Sequence, residues 1–312
     1  MAIKIVLAFN GSAESKDALR LAELLADALD AELVVGCAYP HQPLRARLGD
    51  GAYQQFLRGE AETAAAEARG LVAHREHASV QVLPSHSPAR ALHELAEAER
   101  AHLVVVGSTH RARPGSVLPG STGLQLLHGT PCAVTVTPRD YRLREQPVLS
   151  RIGAAFDGST ESTDAVFTAA TLARAAGATL AVERVVGFSE PPEDHLLAAY
   201  TADLEALAEQ AHAELDAVVA AAGDGLAIIS RVVQGLPTSE LVRWSAELDL
   251  LVLGSRGYGP LRQILLGSTS AELINWAECP VLVVPRGVER VLDPAAAGHA
   301  ADVESAAETK GA

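Results

Sequence analysis

The chain contains itself twice, and that repeat limits its architecture more than any other feature. Ile5-Val-Leu-Ala-Phe-Asn-Gly-Ser12 returns as Ile152-Gly-Ala-Ala-Phe-Asp-Gly-Ser159, a shift of 147 residues. Val104-Val-Val-Gly-Ser108 returns as Leu251-Val-Leu-Gly-Ser255 at the same shift, and Gly120-Ser-Thr122 returns as Gly267-Ser-Thr269. Pro131 and Pro280 lie 149 apart and read as equivalents displaced by two small insertions or deletions. A unit this long is a whole domain with its own core, not a solenoid module. Two tandem domains are therefore expected, over 1–138 and 151–286, with 139–150 as a linker of mixed charge. Residues 287–312, rich in Ala and Glu without apolar periodicity, are expected to be a disordered tail.

Within each half, strands and helices alternate. Ile3–Phe9, Leu33–Ala38, Val80–Leu83, Leu103–Val106 and Ala133–Val136 are apolar runs of strand length, and Ser15–Leu29, Gly51–Ala73 and Pro88–Arg100 have helical spacing. The second half repeats the order, with helices near Thr163–Ala176, Asp194–Ala222 and Thr238–Glu247. The strands are almost wholly apolar rather than alternating, as in a parallel sheet covered on both faces. The pattern predicts an α/β doubly wound fold in each half, a mostly parallel five-stranded sheet flanked by helices. Ligands are then expected at the carboxyl ends of the strands.

A glycine loop occupies such an end. After the apolar run Leu250–Leu253 comes Gly254-Ser-Arg-Gly-Tyr-Gly-Pro-Leu-Arg-Gln-Ile-Leu-Leu-Gly-Ser268, and then Ala271–Trp276 with helical spacing. Gly254 and Gly257 are expected to allow backbone angles that a Cβ forbids and to let the main chain approach a ligand. Gly267-Ser268 falls just before a helix, where free N–H groups and the positive dipole end favour a phosphate. Glycines alone are a weak signal. The spacing Gly-x2-Gly-x9-Gly-Ser directly after a buried strand is far more specific.

On these residues the chain resembles the universal stress proteins, and in particular their ATP-binding branch. The resemblance extends to Ala155-Phe156-Asp157-Gly-Ser159 after the first strand of the second half, and to Cys279–Pro285, which is similar to the family's last strand. It implies bound ATP, with or without Mg2+. It places Asp157 against the nucleoside and the backbone of Val185 against adenine. Gly254, Arg256, Gly257, Gly267, Ser268 and Thr269 would surround the phosphates, with Ala155, Phe156 and Ser159 in the same site. In the first half the matching positions are Asn10, Ala38, Gly107, Gly120, Ser121 and Thr122. That half departs from the pattern: Asn10 replaces the acid, His110 stands where Gly257 stands, and Cys37 stands where Arg184 stands. A non-glycine residue at positive φ is disfavoured, so the first half is expected to bind more weakly. Arg111 and Arg113 add charge that could compensate. The last strands, Ala133–Val136 and Val281–Val284, resemble those through which family domains dimerise and could pair within this one chain, leaving homo-oligomers open.

Composition sets the outer bounds. A net charge of −14 argues against nucleic acid as the main partner. Cys37, Cys132 and Cys279 form no short-spaced pair. With no N-terminal apolar signal and no run of 18 apolar residues, the expectation is a soluble cytoplasmic protein without membrane contact. Eight of the eleven histidines lie in the first half without a ligand pattern, His74 and His77 sharing a helix end. No metal site is expected. Glu60, Glu62 and Glu67, with Arg58 and Arg69, read as a solvated helix face. No catalytic constellation is evident and neither glycine loop holds a lysine. The reading is an adenine-nucleotide-binding module of stress response or signalling, with at most slow hydrolysis. Two alternatives stand beside it: an interaction protein that has lost its nucleotide, and an adenylate-processing enzyme. The enzyme would show a Ser-Gly-Gly-x-Asp-Ser loop or a His-x-Gly-His pair, and the sequence has neither.

Overall fold

The computed structural model describes residues 2–41, 51–130, 132–187, 197–223, 225–255, 268–285 and 292. The first half runs β1 (Lys4–Ala8), α1 (Ala13–Leu29), β2 (Glu32–Pro40), α2 (Gly51–Leu71), β3 (Ala78–Ser85), α3 (Pro88–Ala98), β4 (Leu103–Gly107), α4 (Ser121–Gly129) and β5 (Ala133–Thr137). The second runs β6 (Arg151–Ala155), α5 (Thr160–Ala176), β7 (Thr179–Val186), α6 (Leu197–Ala222), β8 (Ile228–Gln234), α7 (Pro237–Ser245), β9 (Leu250–Gly254), α8 (Ser268–Trp276) and β10 (Val281–Val284). Each half is the mostly parallel doubly wound sheet that the apolar runs predict.

The two sheets are one. Strand order is β3-β2-β1-β4-β5-β10-β9-β6-β7-β8, ten strands that are parallel within each half and joined by an antiparallel seam between β5 and β10. Thr135 pairs with Leu282, Val134 with Val283 and Val136 with Val281. Gly107 lies beside Thr137, and Gly254 beside Val284, so the last strands keep the shift of 147. Thr135 therefore faces its own counterpart across a local twofold, and Pro131 and Pro280 are not equivalents. Ile5 and Leu7 of β1 point into one layer with Leu21, Leu25, Ile152 and Leu172, while Val6 points into the other with Leu92, Leu127, Trp244 and Leu273. Both layers run across the seam, α1 packing on α5. Burial on both faces is why neither face of the strands needs polar residues.

The segment expected as a linker is held down. Asp17 of α1 is fully buried and accepts from the main-chain N–H of Asp140 (2.8 Å) and of Arg142 (3.0 Å), and from the Arg142 guanidinium (2.8 Å). These contacts fix a 3-10 turn over Tyr141–Leu143 and bury Tyr141. Arg144 donates to the Glu278 carbonyl at 2.7 Å, tying the same segment to the second half. The expected tail lies outside the described residues except for Leu292, which is buried in the core.

Candidate functional site

Each half opens a cleft at the carboxyl ends of its strands, where the order reverses on either side of β1 and of β6. The walls come from the turn after the first strand. In the second half Phe156 follows β6, Gly158 takes φ +89°, and Ser159 caps α5 by accepting from Ser162 N at 3.2 Å. The Asp157 carboxylate closes that turn, accepting from Ser159 N (2.9 Å) and Ser159 Oγ (2.5 Å). Partial burial pulls the Asp157 carboxyl upward. The hydrogen bonds of Ser159 and Ser162 and the Arg184 charge outweigh that and hold it below the ordinary carboxylate value. Asn10 makes the same turn, accepting from Ser12 N at 3.1 Å around Gly11 at φ +79°. The amide thus keeps the geometry of the acid and loses only its charge.

The second cleft measures about 680 Å3. Ala155, Phe156, Asp157 and Ser159 line one side, Val185 and Gly254 the strand ends, and Thr269 the first turn of α8. Arg256, Gly257 and Gly267 lie outside the described residues, and Ser268 opens α8. The first cleft, about 420 Å3, brings together Asn10, Ala38, Gly107, Gly120, Ser121 and Thr122. Gly120 is the N-cap of α4 and offers no side chain to its first N–H groups, unlike Ser12, Ser87 and Ser159, which cap α1, α3 and α5. Donors at the start of α4 therefore face the cleft without a side-chain cap.

Three details of the sequence reading change. Gly254 and Gly107 do not adopt positive φ; they are glycine because a Cβ would meet the carbonyl oxygen of Glu161 at 2.4 Å and of Glu14 at 2.1 Å. That demand comes from a helix start packed on the strand end. His110 also has no positive φ, so it carries no backbone strain; Gly115, at φ +80°, makes the turn in that loop, and Arg139 donates to the His110 and Ala112 carbonyls at 2.9 and 3.0 Å. Arg113 does not line the first cleft. Its guanidinium sits 5.3 Å from the ring centre of Trp276, beside Arg144 in a separate hollow between the halves.

Behind the clefts an ion pair has changed partners. Arg184 on β7 pairs with Glu214 on α6 and lies 5.5 Å from the Phe156 ring. In the first half, with Cys37 in that place, Glu67 pairs with Lys16 of α1 at 2.6 Å. Glu67 stays on the solvated face that the sequence suggests, its carboxylate reaching across to Lys16 near Gly11, and Arg58 pairs with Glu62 on the same face at 2.6 Å. Sequence reasoning missed Glu183, which lines the second cleft, and Pro237 and Leu241 opposite it. The available signal for Glu183 was a pair of adjacent charges, Glu183 and Arg184, inside a mostly apolar strand.

A two-faced α/β sheet with a cleft at the switch point of each half, one wall a serine-capped Asx turn and the other a helix start, defines a tandem doubly wound α/β protein with one open cleft per half. Comparison with known proteins gives the family. The model of the universal stress protein family matches residues 1–138 and 149–285, and the chain belongs to that family. A universal stress protein of Mycobacterium tuberculosis strain H37Rv is 31% identical over 221 residues, which make up 68% of this chain and 71% of the relative. The crystal structure of a universal stress protein from Archaeoglobus fulgidus DSM 4304 superposes with a TM-score of 0.64 at 21% identity, covering 91% of this chain and 98% of its own, and shows the shared fold. One universal stress protein, matched at 27% identity and a TM-score of 0.30 over 43% of this chain and 95% of its own, was solved in complex with cAMP. Among the described residues, no helix is long and apolar enough to cross a membrane.

Proposed function

We propose that the protein is an ATP-binding module of stress response or signalling, and that the second-half cleft is its main site. The observation that carries this reading is the convergence of Asp157, Val185 and Thr269 on one open cleft of about 680 Å3. An acidic hydrogen-bond acceptor at one end suits ribose hydroxyls. A helix start at the other suits phosphate oxygens. In sequence, the glycine spacing from Gly254 to Gly267 links the end of β9 to the start of α8. ATP acts here as a ligand that stabilises one state of the module rather than as a substrate turned over rapidly. The first cleft, smaller and without the acidic charge, binds the same ligand more weakly. Mg2+, when present, would travel with the phosphates.

Thr269→Asp tests this reading. A carboxylate in the first turn of α8 favours the helix by roughly 0.3–1 kcal/mol, so the variant folds, yet it repels a phosphate at the same place. Wild-type protein gains about 2.7 kcal/mol when ATP is 100-fold above Kd, and its melting temperature rises by a few degrees; the variant melts as wild type without ATP and shows no rise with it. No shift in wild type, or an equal shift in both proteins, would sink the proposal.

A further inference from the structure

Glu183 and Arg184 are adjacent charges on β7 and so point to opposite faces of the sheet. Arg184 is paired with Glu214 behind the site. Glu183 has no solvent exposure and lines the second cleft. Its Oε2 accepts from Nε of Arg231, its register partner on β8, whose guanidinium lies 5.7 Å from the ring centre of Trp244. Its Oε1 is buried without a hydrogen-bond partner. Burial pushes the Glu183 carboxyl up; Arg231 opposes this, while Glu240 and Glu247 add to it.

Position on the strand tells which end of a ligand this oxygen meets. Val185 lies two residues further along the same face and lines the same cleft as Thr269 of α8, with β7 and β9 on either side of β6. A phosphate would be repelled by the carboxylate and is drawn to the helix start instead. A nucleobase is left for the Glu183 end. The first cleft has no equivalent group: Gly36, paired with Gln81 in register, holds the place, and a Cβ there would meet methyl carbons of Leu92 and Leu95 at 2.9 and 3.0 Å. One floor is apolar and the other ends in an acceptor that lacks a donor.

We propose that Glu183 is a specificity-determining residue of the second cleft, its Oε1 accepting from the exocyclic amine of a 6-aminopurine and so rejecting a 6-oxopurine. The inference rests on the nucleotide-binding reading above. A buried acceptor is satisfied by an amine, whereas a carbonyl at the same place sets two acceptors against each other; sites that use a buried polar group in this way discriminate strongly.

ATP and inosine triphosphate carry an amine and a carbonyl, respectively, at the purine 6-position. Titration of wild-type protein with each is expected to favour ATP by at least tenfold. Glu183→Gln keeps the shape of the side chain and can turn an amide N–H toward a carbonyl, so most of that preference should disappear, chiefly through tighter binding of inosine triphosphate. A wild-type ratio near one overturns the inference, and needs no variant to do so. Tight ATP binding with an unchanged ratio in Glu183→Gln overturns this inference alone. Binding of neither nucleotide by wild-type protein overturns the nucleotide-binding reading and this assignment together.

Discussion

His102 shows how burial of one ring makes the molecule sensitive to pH. Its Nδ1 accepts from Lys4 N at 3.2 Å at the start of the sheet, its Nε2 has no partner, and burial holds the imidazole below its ordinary value of 6.5. The folded pKa is depressed, so the unfolded chain binds the proton more readily. Stability is present in full above about pH 6.5 and declines as the pH falls from there toward the folded value. The melting temperature is expected to drop between pH 7 and pH 5.5. His102→Asn, which keeps an acceptor for the Lys4 N–H but cannot titrate, should flatten that drop; identical slopes in the two proteins would refute the assignment. Such effects are hard to read from sequence, where His102 is one of eleven histidines. The glycines at 107 and 254 teach the complementary lesson. The repeat marked them correctly, but the reason lies in the carbonyl oxygens of Glu14 and Glu161, which only the packed helix starts bring near.

Among the elements, the connection between halves depends on Asp17. A carboxylate with no exposure that satisfies two main-chain N–H groups and a guanidinium leaves all three unmatched when it is removed. Asp17→Ala is expected to cost about 3–5 kcal/mol, to release the turn over Tyr141–Leu143, and to raise proteolysis there. A loss below 1 kcal/mol in denaturant unfolding would mean the segment is a free tether. From sequence that stretch reads as a linker because it lacks periodicity, and its anchor lies more than 120 residues away. Long apolar strands and helices were legible because their periodicity is local. The ion-pair exchange from Arg184–Glu214 to Lys16–Glu67 was not, since each partner sits on a different element. The cleft residues on the repeated turn and glycine loop, with Val185 and Ala38 on the second strands, could be named in advance. Glu183 on β7 and the facing Pro237 and Leu241 of α7 could not, because none of the repeated segments reaches them.

As a whole, the molecule is two copies of one fold closed into a continuous sheet by a seam that behaves as a pseudo-symmetric dimer interface within one chain. The symmetry stops at the clefts. They differ in size, about 680 against about 420 Å3, in the charge of Asp157 against Asn10, and in the floor of Glu183 against Gly36. If the clefts bind as proposed, one chain carries one strong and one weak adenine-nucleotide site. Calorimetric titration of the full-length protein with ATP tests this most directly. The predicted result is a tight phase with a stoichiometry near one per chain, followed by a weak phase or none, with the tight phase absent in Thr269→Asp. Two equal tight sites, or a tight phase that survives Thr269→Asp, would contradict it.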